Sequence, residues 1–177
     1  MKRNILIAFA ATSLLFYSTQ AFAILNFSAG VPFSHTITGK YADGTEVKSD
    51  GVSGMFIQVG VPIFPGVGMD SYKTKLKDSI AELATTIYNL YYLLPIPVIN
   101  LTIGVGAGST ELQCSTCSSI FEKGPATQWY ASFGMPIIPL FDVHLSYRSV
   151  STKIEIKSGG EHDLSGNVMG LGIGFNF

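Results

Sequence analysis

From residue 25 onward, hydrophobic residues recur at every second position in several separate stretches of the chain. In the last stretch they alternate with Gly170, Gly172, Gly174 and Asn176. The apolar positions there are Met169, Leu171, Ile173, Phe175 and Phe177. A period of two is that of a β-strand, whose successive side chains point to opposite faces. The pattern therefore predicts a strand that ends at the last residue, with one apolar face and one glycine-rich face.

Five further stretches alternate in the same way, with small or polar residues between the apolar ones. Their apolar positions are Leu25, Phe27, Ala29, Val31 and Phe33; Met55, Ile57, Val59 and Val61; Ile99, Leu101, Ile103, Val105 and Ala107; Trp129, Ala131, Phe133 and Met135; and Phe141, Val143, Leu145 and Tyr147. A strand of a membrane barrel turns its apolar face to lipid and its polar face to the lumen. We expect that orientation here.

The connections between these stretches are of two kinds. Short proline-containing segments lie at residues 62–66, 95–97 and 136–139, and longer polar segments at residues 39–53, 77–85, 113–127 and 157–166. Proline ends ladder pairing and favours turns. Three short periplasmic turns and four longer external loops join eight strands. The prediction is an all-β, eight-stranded antiparallel transmembrane up-and-down β-barrel formed by residues 24–177.

Residues 67–94 fit this prediction least well. The third strand, about residues 67–77, alternates poorly. Residues 79–82 have the form of a helix capping box, and the apolar residues that follow have helical spacing. These apolar residues are Ile80, Leu83, Ile87, Leu90 and Leu94. Because single-chain bacterial barrels have an even number of strands, we favour a strand over residues 86–94, with a helical turn over residues 78–85.

The N-terminal segment is a predicted secretory signal peptide of residues 1–23. Lys2 and Arg3 precede an apolar run over residues 5–17, and Ala21-Phe22-Ala23 offers a cleavage site. Basic, apolar and small-residue regions in this order are typical of exported proteins. We expect cleavage after Ala23.

Composition narrows the class further. Hydrophobic residues make up 47% of the chain and charged residues 13%, yet after the signal no apolar run reaches the roughly 18 residues of a transmembrane helix. Without Lys2 and Arg3, nine basic residues face 12 acidic ones. A net charge of about −3 argues against a nucleic-acid partner.

The C-terminal strand resembles the signal that the assembly machinery of bacterial outer-membrane barrels reads. A final aromatic residue preceded by apolar residues at alternate positions is matched by Leu171, Ile173, Phe175 and Phe177. By this resemblance the chain is similar to the small eight-stranded barrels of OmpA/OmpX type, without a periplasmic domain. The resemblance implies the outer membrane of a Gram-negative cell, contact with lipid and lipopolysaccharide, and partners in the barrel-assembly machinery and periplasmic chaperones.

Two cysteines, Cys114 and Cys117, lie in the third external loop. In a reducing compartment this spacing would suggest a redox motif or half a zinc site. An exported chain meets the oxidising periplasm, where disulfides persist. We therefore expect a small structural disulfide, with redox and metal roles as alternatives.

Polar residues on predicted inward faces form a candidate lumen cluster. Its members are Gln58, Asn100, Asp142, His144 and Arg148. One interpretation is a gated passage or a proton-sensitive plug. The other, which we favour, is that an eight-strand interior is filled by side chains whose charges pair.

One catalytic hypothesis concerns His144 and Ser146, which share a strand face, with Glu155 or Glu161 as orienting acid. The arrangement is similar to outer-membrane lipid A deacylases, which carry His-x-Ser near the C-terminus. Those enzymes have Asn after the serine where this chain has Tyr147, and their catalytic residues face lipid, whereas the phase here turns His144 inward.

Three functions follow as hypotheses. The leading one is a non-enzymatic, structural or adhesion-type barrel without a cofactor, acting on a host or surface ligand through its external loops. The alternatives are a narrow channel for small or hydrophobic solutes and a lipid A-modifying enzyme.

Overall fold

The computed structural model describes residues 25–61, 64–94, 96, 99–138 and 140–176, most of which lie in β-strands. The strands are β1 (Asn26–Ile37), β2 (Ser49–Gly60), β3 (Gly66–Leu76), β4 (Glu82–Leu94), β5 (Asn100–Gln113), β6 (Gly124–Ile138), β7 (Phe141–Glu155), β8 (Glu161–Asp163) and β9 (Gly166–Asn176). A single-turn helix, α1 (Cys117–Ile120), follows β5. In the described ranges, no helix has the length and apolar character needed to cross a membrane.

Eight of the strands close into one antiparallel barrel. Strands β1 to β7 pair in chain order, and β9 lies between β7 and β1, pairing with both. The three-residue strand β8 pairs only with the far end of β7. The predicted all-β, eight-stranded antiparallel barrel is confirmed.

The two ends of the barrel differ in their connections. We call the end at which β2–β3, β4–β5 and β6–β7 are joined the turn end, since these connections are short. The opposite end, with connections over residues 38–48, 77–81, 114–123 and 156–165, is the loop end. Asn26 and Asn176, which lie at or beside the ends of the described chain, are paired side by side at the turn end.

Near the turn end the barrel is apolar outside and polar inside, as the alternation predicts. Outward side chains such as Val31, Val59, Val105 and Leu171 are exposed. The inward side chains are buried polar groups, among them Asn26, Ser28, Gln58, Asn89, Gln128 and Asp142. This arrangement suits a surrounding of lipid.

Toward the loop end the arrangement is reversed. The interior there is a hydrophobic core of Ile37, Val47, Leu76, Leu83, Leu112, Cys117, Ile154 and Leu164. Lys73 and Lys75 point outward from β3, where they are exposed. This part of the molecule has the polarity of a water-soluble barrel.

The reversal corrects the predictions for residues 67–94. Strand β3 alternates regularly in burial, but its apolar residues change face between Met69 and Tyr72. Strand β4 runs from Glu82 to Leu94, so the strand favoured over residues 86–94 is confirmed, whereas the helical turn suggested over residues 78–85 is wrong. Ser79 accepts a hydrogen bond at Oγ from the Ala81 amide (3.0 Å) within a short hairpin, and does not cap a helix.

The strands also run further than predicted at both ends. Strand β6 continues to Ile138 through a register shift between Pro136 and Ile138, so the predicted turn at residues 136–139 is largely strand. The predicted signal peptide, parts of the three proline turns and Phe177 lie outside the described residues.

Candidate functional site

The polar interior at the turn end is organised around Asp142. Asn100 Nδ2 donates to Asp142 Oδ2 at 2.9 Å, and Asn176 Nδ2 donates to the same oxygen at 3.3 Å. His144 Nδ1 lies 3.2 Å from Oδ1 of the same carboxylate. Asn26 Nδ2 extends the network by donating to Asn176 Oδ1 at 2.6 Å. The carboxylate is therefore buried with several partners, which offsets its loss of hydration.

A second level, further from the turns, contains a buried ion pair. Arg148 Nε donates to Asp70 Oδ2 at 2.9 Å, and the two side chains are 2% and 0% exposed. Gln128 Nε2 donates to the same oxygen at 2.5 Å. Arg148 also donates to Ser146 Oγ. The guanidinium carbon lies 3.5 Å from the centroid of the Phe56 ring, a cation–π contact that covers its flat face.

Glycines of β9 provide the space for these inward side chains. A Cβ atom at Gly170 would overlap the Phe56 ring, and one at Gly172 would overlap His144 Nε2. The alternation of glycine with outward apolar residues in β9 therefore has a packing cause: the lumen is narrow, and glycine leaves room for large neighbours.

Little open volume remains between the polar side chains. The cavity bordered by Asn26, Gln58, Asn100, Asp142 and His144 has a volume of 20 Å³. About one water molecule fits in roughly 10–15 Å³ of water-accessible space. On the loop-end side, the apolar core follows directly on the Arg148 level.

The predicted lumen cluster is thus divided between levels. Asp142, His144 and Asn100 lie together, whereas Arg148 pairs with Asp70. Gln58 lies between them and donates to Tyr130 Oη at 2.8 Å. Asp70 was not identified from the sequence, because the apolar residues of β3 alternate poorly. The sequence feature that could have identified it is an acidic residue on the inward face of β3, which calls for a basic partner such as Arg148.

The predicted catalytic pair is not assembled. His144 is engaged with Asp142, while Ser146 Oγ donates to the Gly170 carbonyl at 3.2 Å and accepts from Arg148. Of the two suggested acids, Glu155 lies at the loop end and Glu161 pairs with Lys153. Across the described chain, no hydrogen bond joins His144 to Ser146.

At the loop end, Cys114 and Cys117 are joined in a disulfide. Cys117 is buried in the apolar core and begins α1, and Cys114 packs against the same core. The disulfide closes a four-residue loop that fastens the β5–β6 connection onto the barrel.

His162 of β8 holds other loops to this connection. Its Nδ1 accepts a hydrogen bond from the Ala42 amide at 2.9 Å, and its ring contacts Tyr41 and Phe121 with centroid distances of 5.1 and 5.4 Å. Burial lowers the pKa of His162 below its ordinary value, with partial opposition from the charge of Asp43. The loop end is therefore built from several connections that pack on one another.

A cleft of 590 Å³ opens beside this packed region. It is bordered by Glu111, Leu112, Gln113, Cys114, Ser118, Phe121, Glu122, Lys123 and Lys157. Charged side chains of both signs and an aromatic ring line it. Lys157 Nζ donates to the Ser118 carbonyl at 2.8 Å, which joins the last loop to α1 across the cleft.

Comparison with known proteins supports the fold alone. Neither a family model nor a curated protein matches the chain. Among solved structures, the neisserial surface protein A (NspA) is similar over 86% of this chain and 97% of its own, with a TM-score of 0.64 at 9% identity. OmpT, an outer membrane protein of Vibrio cholerae, aligns over 88% of this chain and 52% of its own, with a TM-score of 0.36 at 15% identity. The chain has the fold of small outer-membrane β-barrel proteins.

Proposed function

We propose that this protein is a non-conducting barrel of the outer membrane whose activity resides on its loop end, as a surface-interaction protein of adhesion type. The observation that carries the proposal is the filled interior. A polar network with a cavity of 20 Å³ is followed by an apolar core, and this packing of the described residues supports a barrel that does not conduct solutes.

The location rests on the outward apolar surface and on the fold. An outward face of aliphatic and aromatic side chains near the turn end is stable against lipid and costly against water. The predicted signal peptide and the C-terminal assembly signal agree with export. By this proposal the turn end faces the periplasm and the loop end faces the exterior.

The surface role rests on the order of the loop end. Loops that are held by a core, a disulfide and the His162 contacts lose little conformational entropy when they bind a partner. The neisserial neighbour is named a surface protein, and we extend that role to this chain by proposal only. The cleft between β5, α1 and the last loop is the binding surface we favour.

Conductance separates this proposal from a channel. The folded protein is added to a planar lipid bilayer, with a porin as a control for insertion. We expect a flat current trace at all voltages that the bilayer tolerates. Reproducible unitary current steps would contradict the filled lumen and favour the channel.

Binding tests the surface role directly. Cells that display the protein are applied to an array of glycans and extracellular-matrix proteins. We expect wild-type cells to bind at least one component and cells with the triple substitution Glu122→Ala, Lys123→Ala and Lys157→Ala to lose that binding. Lys75→Ala, outside the cleft, is the matched control. Equal binding by wild type and the triple variant would refute the cleft as the binding surface.

A further inference from the structure

The turn end carries large apolar side chains that touch little of the protein. Phe64, in the β2–β3 connection, is 66% exposed, and Ile137, near the end of β6, is 69% exposed. Leu140 in the β6–β7 connection is 50% exposed. Short turns that project into water are normally polar. Exposure of these side chains to water would be unfavourable, so their exposure indicates an apolar environment.

Charge is absent from the same end of the molecule. The segments that build it, residues 54–69, 86–110, 124–141 and 166–177, contain no Lys, Arg, Asp or Glu. The neighbouring Asp142 is buried in the lumen. His144, which is paired with Asp142, also lies close to this end, and the other Lys, Arg, Asp and Glu side chains of the described barrel lie further toward the loop end. An end that projects into water or docks on a polar protein would be expected to carry charge.

The backbone of the turns has few amide groups that need a hydrogen bond from water. Six of the eight prolines lie in or beside the three connections: Pro62, Pro65, Pro95, Pro97, Pro136 and Pro139. Proline has no amide hydrogen to satisfy. The Phe64 amide donates to the Val61 carbonyl at 3.1 Å, and the Ile96 amide donates to the Leu94 carbonyl at 2.8 Å. Fewer unpaired donors make an apolar surrounding less costly.

The length of the outward apolar surface along the barrel axis also indicates an apolar environment at the turn end. The outward apolar run of β2 extends from Met55 to Val61, and that of β7 from Phe141 to Tyr147. At roughly 3.4 Å per residue and a tilt of about 40°, such runs span about 16 Å of a lipid-facing band that is normally about 25 Å tall. These two strands alone fall short of the band, and Phe64 and Leu140, in the connections that follow β2 and precede β7, extend it at the turn end.

We propose that the turn end is immersed in the adjoining lipid leaflet and does not project into the periplasm. The side chains of Phe64, Ile137 and Leu140 lie among phospholipid acyl chains, and the turn backbone lies at the boundary with the headgroups. This inference rests on the proposed membrane location. It adds that the occupant of the apolar turn end is lipid and that no protein covers it.

Single-tryptophan fluorescence tests the proposal. Trp129 is the only tryptophan, so Trp129→Phe provides the background. Phe64→Trp and Ile137→Trp are placed in it as turn probes, with Leu145→Trp as a mid-belt control and Ile80→Trp, at a position 87% exposed, as a loop-end control. Each folded variant is reconstituted in phosphatidylcholine vesicles with and without brominated acyl chains, and is titrated with aqueous iodide.

We expect both turn probes to lose as large a fraction of their emission to brominated chains as Leu145→Trp, and to resist iodide. Iodide quenching of both turn probes at the level of Ile80→Trp, with Leu145→Trp still quenched by lipid, would overturn the immersion and leave the membrane location intact. Failure of brominated lipid to quench Leu145→Trp would overturn the location itself. Leu140→Trp replaces either turn probe if that variant does not fold.

Discussion

The two halves of this barrel use the same strands with opposite polarity. In the turn-end half, polar groups such as Asp70, Arg148 and Asp142 lie inside and aliphatic residues outside. In the loop-end half, a core that includes Leu83 and Ile154 lies inside. The strand geometry does not change between the halves. What changes is the solvent that each outer surface suits, lipid in one case and water in the other.

This difference shows that the interior is determined by the surroundings. A wall that faces lipid has its apolar residues outside, so its interior receives polar groups that must satisfy one another. In a wall that faces water, the apolar residues point inward and form the core. We expect the halves to respond differently to matched substitutions, and the predictions below run from the largest expected effect to the smallest.

The largest effect is expected at the buried ion pair. Arg148→Met removes the partner of Asp70 in the lumen and should lower the free energy of unfolding by about 3–5 kcal/mol. Urea unfolding of the protein in lipid vesicles measures this. Lys153→Met, which breaks the exposed pair with Glu161, should cost about 0–1 kcal/mol. The double substitution Asp70→Leu/Arg148→Met should recover most of the stability that Arg148→Met loses. Equal losses of stability in Arg148→Met and Lys153→Met would argue against a desolvated Asp70–Arg148 pair.

The loop-end core should respond like the core of a soluble protein. Leu83→Ala leaves a cavity in a region where Leu83 is 1% exposed and should cost about 2–5 kcal/mol. Leu171→Ala on the outer wall should cost less, because lipid chains fill the space. The same unfolding assay compares the two. A larger loss for Leu171→Ala would contradict the proposed polarity of the walls.

Reduction of the disulfide should have a smaller effect that is confined to the loop end. Closing a four-residue loop contributes about 2 kcal/mol by chain entropy. With reductant present, we expect the β5–β6 connection to become sensitive to protease while the strands stay protected. Cleavage sites identified by mass spectrometry measure this. Cleavage in the turn-end strands at the same rate would show that the halves are not independent.

The smallest effect concerns pH and His162. Its pKa is lowered by burial below the ordinary value of 6.5, so the folded loop favours the neutral ring. The contribution of His162 to stability is complete above pH 6.5 and decreases as pH falls below it, because the unfolded chain takes up the proton first. Protonation of Nδ1 also removes the acceptor for the Ala42 amide. The protection factor of the Ala42 amide, which corrects the exchange rate for its intrinsic pH dependence, should fall below pH 6.5, and a protection factor that falls as the pH rises above 6.5 would contradict this account.

The sequence predicted the strands correctly wherever the apolar residues stay on the same face, as they do along β9 and in the turn-end part of β7. It failed where polarity reverses within a strand. In β4, Leu83 and Ile87 point inward whereas Leu90 lies outward. When the apolar residues move from the inward to the outward face, the distance between two of them along the chain becomes an odd number of residues. From Leu83 to Leu94 the spacing is therefore four, three and four residues, which is also the spacing of an amphipathic helix. For the same reason the inward Asp70 of β3 was missed, and with it the partner of Arg148.

Other features of the interior depend on pairing across the lumen, which a single sequence does not reveal. Gln128 and Asn89 meet through a hydrogen bond of 2.6 Å from β6 to β4. Their alternation predicts that they point inward but not which residues they meet. The register between strands decides this, and the bulge between Pro32 and Ser34 shifts it by one residue.

A nitroxide scan along β4 tests the central claim, that one strand changes polarity as it passes from lipid to water. Labels are placed singly at residues 82–94 of the protein in vesicles, and collision rates with oxygen and with a water-soluble nickel chelate are measured. The account predicts high oxygen accessibility at positions 88, 90 and 92, chelate accessibility at positions 82 and 84, and low accessibility to both at 83, 87, 89 and 91. A period of three to four residues, or lipid exposure at position 83, would contradict it.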